Sequence, residues 1–429
     1  RKARKNNGAK RDMHYEMEQE EHDVYPDDPD FDINKARLVT TAPRICVRYE
    51  CVPMRFIKHV YKIHTYAQDG RLFEGKTPVS AFLNSSYDGS FIAGLMELRY
   101  IQSLPVERII NYFESHGFTL KKPTAHKLME KASSLFENLY KCIRQTALSD
   151  PYKAADETYY KILVPEKNSK GKGVRKGYLW VVVGINTRMI YLLYDDGSRS
   201  EKVILNELGG CKGIIQSDGY SPYRKLESDA YPHITRIPCL QHIKRKFIDC
   251  GEDEPDAKRI VELINTLYQN EHKHKIGVDG WTVEQNLVHR KKYAPDILGE
   301  IKDVLDDIEE RGDLLPKSEL KEAITYLRNE WNAVVDIFNY GDTYLDNNIV
   351  ERMNRYISLS RKNSLFFGSH KGAERGAILY TIALTCRMNK VNLFEYLTDV
   401  INRTAEWQPN TPLEKYRQLL PDRWEKAND

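Results

Sequence analysis

Three acidic residues stand where their type and surroundings suit phosphoryl chemistry: Asp156 in "AADETYYKIL", Asp218 in "IIQSDGY" and Glu351 in "LDNNIVERMNRY". Carboxylates gathered in one place repel one another. The usual relief is a hard divalent cation such as Mg²⁺, which takes oxygen ligands. Two such cations roughly 3.5 to 4 Å apart activate an attacking oxygen and stabilise the leaving one at a phosphodiester. Each acid also has an ordinary reading. Asp218 precedes a glycine, a common turn pair; Asp156 is free to pair with a lysine; Glu351 stands four residues before Arg355, the spacing of a helical ion pair. The chain has 62 Asp and Glu, so only joint placement by a fold separates these three from the rest.

The neighbours of Glu351 are unusual for a helix. Asn347, Glu351 and Arg355 share one stripe at i, i+4 and i+8, while Ile349, Met353 and Tyr356 fall on an apolar side expected to anchor the helix to a sheet. Downstream, "RKNSLFFGSHKGAER" sets Arg361, Lys362, Lys371 and Arg375 beside Phe366 and Phe367, a mixture suited to phosphate contacts and base stacking. At least one of the two phenylalanines is expected in the core. "HIKRKF" adds Lys244, Arg245 and Lys246. Residues 351–390 hold eight Lys or Arg against two Glu in a chain whose net charge is only +3, which points to an anionic partner or to a solvated basic face.

Cys239 and His242 form a Cys-x-x-His at a helix start, with Cys250 further on; Cys46 and Cys51 have His59 and His64 downstream. Neither group has the paired spacings of a structural zinc site, so zinc is not expected and buried free thiols are. No Gly-x-Gly-x-x-Gly, P-loop or Gly-x-Ser-x-Gly pattern occurs in a fitting context, which leaves ATP use and acyl transfer without support.

The elements that must position these residues follow from patterning. At 429 residues the chain suits two or three domains. No window approaches the roughly 20 apolar residues of a membrane span, and the opening "RKARKNNGAKRDM" has no apolar stretch after its charges, so no secretory signal is expected. Seven Cys without a CxxC pair suggest a reducing compartment, read as the cytoplasm. Residues 1–45 are polar and broken by "YPDDPDFD"; a small β segment follows, with Gly70 closing a turn. Pro105 opens and Gly117 stops one helix, and "KPTAHKLMEKASSLFENLYKCI" reads as the next, a pair that fits a helix-turn-helix as well as any helical hairpin.

From residue 150 the pattern is a three-strand meander, a helix capped by Ser198 with Glu201, a strand ending at Asp218, and "HITRIPCL" running into "QHIKRKFI". Three strands, then helix, strand, helix, strand and helix, is the order of an α/β ribonuclease-H-like core: three antiparallel strands followed by crossover strands. Its first strand is central, its fourth lies beside it, and a later helix crosses near their ends, which would bring the three acids together. Residues 251–340 read as helices only, an insertion, with Leu320, Ile324, Leu327, Trp331 and Val334 on one apolar face.

Five stretches taken in order, "ADETYYKIL", "IIQSDGYSPY", "CLQHIKRKF", "LDNNIVERMNRYISLSRKNSLFFGSHKGAERGAILYTIALTCRMN" and "PNTPLEKYRQLLPDRW", resemble the transposases of the insertion sequence 66 family from about residue 75 to the end. The resemblance implies a DDE-type transposase that uses two Mg²⁺ ions, with Mn²⁺ able to substitute, to cut at transposon ends and join the freed 3′ hydroxyls to target DNA. By matching motif, Asp156, Asp218 and Glu351 would be catalytic and metal-binding. Asn347, Asn348 and Asn363 would support them. Arg352, Arg355, Arg361, Lys362, Lys371 and Arg375, with Lys244, Arg245 and Lys246, would hold DNA, and Cys239 with His242 would be structural or close to DNA. Implied partners are terminal inverted repeats, target DNA, further copies of the chain on DNA and accessory proteins of the same element, in a nucleoid-associated cytoplasmic setting without membrane. The other readings are a DNA-binding protein of this fold that has lost catalysis, or another ribonuclease-H-like DNA nuclease such as a junction resolvase. The implied domains are an arm with a degenerate zinc-binding region at 1–75, a helix-turn-helix-like DNA-binding region at 76–150, a catalytic core at 151–250 and 341–390, the helical insertion at 251–340, and a C-terminal helix and tail at 391–429.

Overall fold

The computed structural model describes residues 54–59, 65–68, 71–74, 81–82, 85–166, 173–312, 314–405, 407–408 and 410–426. The readings made for residues 1–45, for Cys46, Cys51 and His64, and for the turn at Gly70 lie outside them. Residues Arg55–Asp429 form one compact unit.

The unit opens with an antiparallel pair, β1 (Thr65–Gln68) and β2 (Arg71–Glu74). Four helices follow: α1 (Gly89–Met96), α2 (Val106–Ser115), α3 (Lys122–Leu135) and α4 (Glu137–Ser149). Pro105 caps α2 in extended conformation, and Gly117 adopts the left-handed φ of +83° that ends it. The stretch read as one helix from "KPTAHKLM" onward is two. The chain breaks at Phe136, which is fully buried, and the turn lets α3 and α4 diverge around that anchor.

The central sheet has five strands in the order β5-β4-β3-β6-β7. Its members are β3 (Tyr152–Leu163), β4 (Val174–Gly184), β5 (Met189–Leu193), β6 (Gly213–Ser217) and β7 (Ile234–Pro238). β3, β4 and β5 are antiparallel neighbours, whereas β6 and β7 run parallel to β3. Trp180 to Val183 are fully buried, the continuous apolar run expected of a strand covered on both faces. Gly213 starts β6 with φ +89°, where a Cβ would meet the Pro151 carbonyl at 2.2 Å. That close approach lets Ile214 N–H donate to the Pro151 oxygen at 2.7 Å and sets the β3–β6 register.

The crossovers are α5 (Glu201–Leu208) and the short α6 (Ser221–Arg224), and α7 (Leu240–Ile248) follows β7. Ser200, not Ser198, caps α5: its hydroxyl accepts from Lys202 N–H, while Ser198 Oγ accepts from Ser200 N–H one step earlier. Three helices follow without a strand among the described residues: α8 (Pro255–Glu271), α9 (Val283–Arg311) and α10 (Glu319–Ile337). Their apolar faces, including Leu267, Leu305, Ile324 and Leu327, form one core with Ile237 of β7 and Ile243 of α7, so the block is fused to the sheet edge. The chain closes with α11 (Asn348–Asn363), α12 (His370–Met388), α13 (Leu393–Thr404) and α14 (Leu413–Arg417). α11 lies across β3, and α4 and α12 lie against β5.

Candidate active site

β3 and β6 pair from Tyr152 with Ile214 to Ala154 with Gln216. Two residues on from that last pair stand Asp156, within β3, and Asp218, just past the end of β6. Parallel neighbours lie about 4.8 Å apart, so the register brings these two acids side by side. Burial first, and then the charges of Glu157 and Asp218, push the Asp156 carboxyl from its ordinary 3.8 to about 7. Hydrogen bonds from Glu157 N–H at 2.8 Å and from Asn354 Nδ2 at 2.7 Å work in the opposite direction. An acid held this way favours a proton or a bound cation.

Asp218 is fixed through its backbone. Its carboxylate accepts from Tyr220 N–H at 3.1 Å, and the next amide, Gly219 N–H, donates to the Tyr326 hydroxyl of α10 at 2.8 Å. A Cβ on Gly219 would stand 2.5 Å from that hydroxyl, so the contact needs glycine. Arg236 of β7 donates to the Asp218 carbonyl at 2.7 Å and to Ser217 Oγ at 3.1 Å, and pairs with Glu330 and Glu227 at 2.6 Å each. The Arg236 and Glu330 side chains have no solvent exposure. A buried pair is tolerated best when its other donors are matched, and Arg236 spends its own on Ser217, Asp218 and Glu227. Helix α10 thus braces the second acid. Glu157, on the opposite face of β3, pairs with Arg199 at 2.5 Å; its carboxyl is raised by burial, and Asp218 lies close enough to add to that shift.

The third acid arrives on α11, and the loop before it is tied down along its length. Arg290 of α9 donates to the carbonyls of Tyr340 at 2.5 Å and Thr343 at 2.6 Å. Gln216 Nε2 donates to the Tyr344 carbonyl at 2.8 Å, and Leu240 N–H donates to that of Leu345 at 2.9 Å. Asn347 Nδ2 reaches the Ala155 carbonyl at 2.9 Å, and Asn354 Nδ2 reaches Asp156. Glu351 lies four residues after the first and three before the second, on the helix that these two amides hold against β3.

Beside Glu351 is a second group. Cys239, the buried N-cap of α7, accepts from Asn347 N–H at 3.3 Å, and His242 Nδ1 lies 3.8 Å from Glu351 Oε1. The Cys239, His242 and Glu351 ligand atoms all lie within 4.8 Å of one another. Burial pushes the Cys239 thiol up to about 12, against the N–H groups of Asn347 and His242. His242 Nδ1 and Glu351 Oε1 are buried without a hydrogen-bond partner. Spacing alone had left Cys239 and His242 as a two-ligand fragment; the fold adds the third.

The cations divide into spent and unspent. Arg361 donates to the Tyr159 carbonyl at 2.6 Å and lies 3.9 Å over that ring, and Arg375 is paired with Glu130. Lys246 sits 5.9 Å over the Tyr326 ring, whereas Arg245, Lys362 and Lys371 are exposed and Lys244 is half-buried. Asn348 is exposed, and Asn363 donates to the Ser103 carbonyl at 3.2 Å. Phe367 is buried against Tyr160, and Phe366 is 46% exposed.

Arg355, one turn beyond Glu351, is exposed. With Arg352 it lines an open groove of about 630 Å³ on the far side of α11, together with Arg188, Arg387, Lys390 and Tyr344. Ile349, Met353 and Tyr356 also line that groove and do not anchor the helix. Val350, Asn354, Ile357 and Ser360 are the buried positions, because helix rotation carries residues 349, 352, 356 and 359 away from β3. No carboxylate is among the residues lining the groove.

A family model described as "Transposase IS66 family" matches residues 84–375. The chain belongs to this transposase family. Similar proteins include uncharacterized protein y4jD of Sinorhizobium fredii (strain NBRC 101917 / NGR234), 26% identical over 346 residues, covering 77% of this chain and 65% of the relative. From the same organism, uncharacterized protein y4hP is 24% identical over 92% of this chain and 76% of its own length, and uncharacterized protein y4qI is 26% identical over 86% and 69%. The chain therefore spans slightly under two thirds of the first of these relatives.

Transposases are enzymes that act on DNA, and the matched span of this IS66-family chain contains all three acids and the Cys239–His242 pair. Among the described residues, no helix is long and apolar enough to cross a membrane. Sequence reading passed over Asn354, although it stands one turn beyond Glu351 on the same helical face. It also passed over Arg236, a lone charge inside the apolar strand "ITRIP", where a buried partner was the available signal. Glu157, Tyr326 and Glu330 carried no local mark, since their roles arise from contacts distant in sequence.

Proposed function

We propose that the chain is a DDE-type transposase with a ribonuclease-H-like core, cutting at the ends of its element and joining the freed 3′ hydroxyls to target DNA. The observation that carries this reading is the register of β3 and β6, which brings Asp156 and Asp218 to neighbouring strand ends, with α11, the helix of Glu351, tied to β3 through Asn347 and Asn354. The sheet order, with three antiparallel strands and two parallel crossover strands, supports the core.

The acids fit a divalent metal centre, because the Asp156 carboxyl is raised by burial and by neighbouring negative charge, a situation that a cation relieves. Asp156, Asp218 and Glu351 would hold Mg²⁺, or Mn²⁺ in its place. Bound there, the ions would supply activation of the attacking oxygen and stabilisation of the leaving one. The chain's own residues do the positioning. Arg236 and Tyr326 fix the Asp218 turn, Asn354 orients Asp156, and Asn347 seats the start of α11 on β3. DNA phosphates would be held by Arg352 and Arg355 with the exposed Lys362 and Lys371, and bases would stack on Phe366. Terminal inverted repeats and target DNA are the substrates of this reading, with several copies of the chain assembled on them.

With Mg²⁺ and DNA carrying the element's ends, Asp218→Asn should abolish strand cleavage and leave end binding intact. Cleavage retained by that variant would overturn the assignment.

A further inference from the structure

We propose that Cys239, His242 and Glu351 form a binding site for a thiophilic divalent cation, and that zinc is the ion it fits. Among the described residues this is the one group of three such side chains whose ligand atoms converge. A thiolate, an imidazole nitrogen and a carboxylate oxygen are the donors zinc takes, at roughly 2.0 to 2.3 Å, which sets tetrahedral ligand atoms about 3.3 to 3.8 Å apart. His242 Nδ1 and Glu351 Oε1 stand 3.8 Å apart.

Two further observations point to a ligand. Both of those atoms are buried and lack a hydrogen-bond partner, a state that native structures avoid unless something fills it. Cys239 Sγ accepts the Asn347 N–H, the kind of outer contact that holds a metal thiolate in place. The scaffold is also already assembled. The ligands come from two segments distant in sequence, which Leu240 N–H donating to the Leu345 carbonyl and Asn347 N–H donating to Cys239 Sγ sew together.

Three protein ligands leave a fourth position open to water or to a phosphate oxygen. The cation would take Oε1 of Glu351 and hold the side chain in one rotamer, leaving the second oxygen for the acid pair. That last consequence rests on the catalytic reading of Glu351; the site itself does not.

The test uses the full chain, purified, stripped with a chelator and titrated separately with Zn²⁺ and Co²⁺. The wild-type chain should retain zinc in stoichiometric amount before stripping. Its Co²⁺ form should show thiolate-to-metal charge transfer in the near ultraviolet. Cys239→Ser should remove that band, and His242→Ala should weaken binding by at least the roughly 10- to 100-fold that loss of an outer-shell partner costs. Glu351→Gln should weaken binding while keeping the band, and Asp218→Asn should leave both unchanged. Absence of zinc together with absence of the band in the wild-type chain, which needs no variant to fold, would overturn the proposal, as would a band that survives Cys239→Ser. Loss of cleavage in Asp218→Asn with no cation at Cys239 would sink this site alone. A cation at Cys239 with cleavage intact in Asp218→Asn would sink the catalytic reading alone.

Discussion

On one side of α11, Asn347, Asn354 and Arg361 reach the backbone and a carboxylate of β3, and Glu351 faces His242 of α7. On the other side Arg352, Arg355, Tyr356 and Leu359 open onto a groove lined by no carboxylate. The inward Asn347, Asn354 and Arg361 donate to fixed partners on β3 and set geometry. The outward cations keep their charge available for an anion. Arg361 and Arg355 show the distinction most plainly, being six residues apart on one helix: the first is consumed by the Tyr159 carbonyl and ring, and the second faces open space. Counting basic residues therefore overstates the number free to meet phosphate.

The largest expected effect that sharpens this contrast is in packing. Ile357 is fully buried and Leu359 is 46% exposed. Ile357→Ala should destabilise by about 2–5 kcal/mol, while Leu359→Ala should change stability by no more than about 0.5 kcal/mol, both read from chemical denaturation. Similar losses at the two positions would mean that the groove is closed in solution.

Next is the charge on the inward side. The Asp156 carboxyl titrates near 7 in the folded chain and near 3.8 when unfolded. Between these values the folded state carries more protons, so the stability of metal-free protein falls as pH rises from about 4 to about 7 and is flat on either side. Asp156→Asn removes this dependence. The variant should match wild type near pH 4 and exceed it on the order of 4 kcal/mol above pH 7, without metal. A pH-independent difference in denaturation midpoints would contradict the burial and charge crowding inferred at Asp156.

The smallest of these effects is on the outward side. Arg352→Ala and Arg355→Ala should each weaken DNA binding several-fold, without base preference. Each should lower the slope of log affinity against log salt by about 0.9 if it removes one phosphate contact. An unchanged slope in the double variant would remove the groove from the DNA path.

Much of the core was legible in the sequence because strands announce themselves locally. "YLWVVVGI" and "MIYLLYDD" are apolar runs bounded by turns, and they became β4 and β5, with β3 between β4 and β6. The strand ends carrying Asp156 and Asp218 followed from the same pattern. Legibility stopped where rotation or distance decides. A heptad or so of α11 cannot say which apolar residues face the sheet, because amides at 347 and 354 took the inward positions usually filled by aliphatic side chains. The break at Phe136 and the shift of the α5 cap to Ser200 are boundary effects set by packing and local hydrogen bonding. Arg236 with Glu330, and Cys239 with Glu351, are pairs formed across long sequence separations that no spacing encodes.

The two-faced reading of α11 is tested most directly by measuring end binding and Mg²⁺-dependent strand cleavage on the same DNA for Asp156→Asn, Asp218→Asn and Glu351→Gln beside Arg352→Ala/Arg355→Ala. The account predicts that the acid variants bind like wild type and do not cut, while the arginine variant binds weakly yet cuts at near wild-type rate once DNA is saturating. Cutting by the acid variants, or lost binding in them with full binding in the arginine variant, would contradict it.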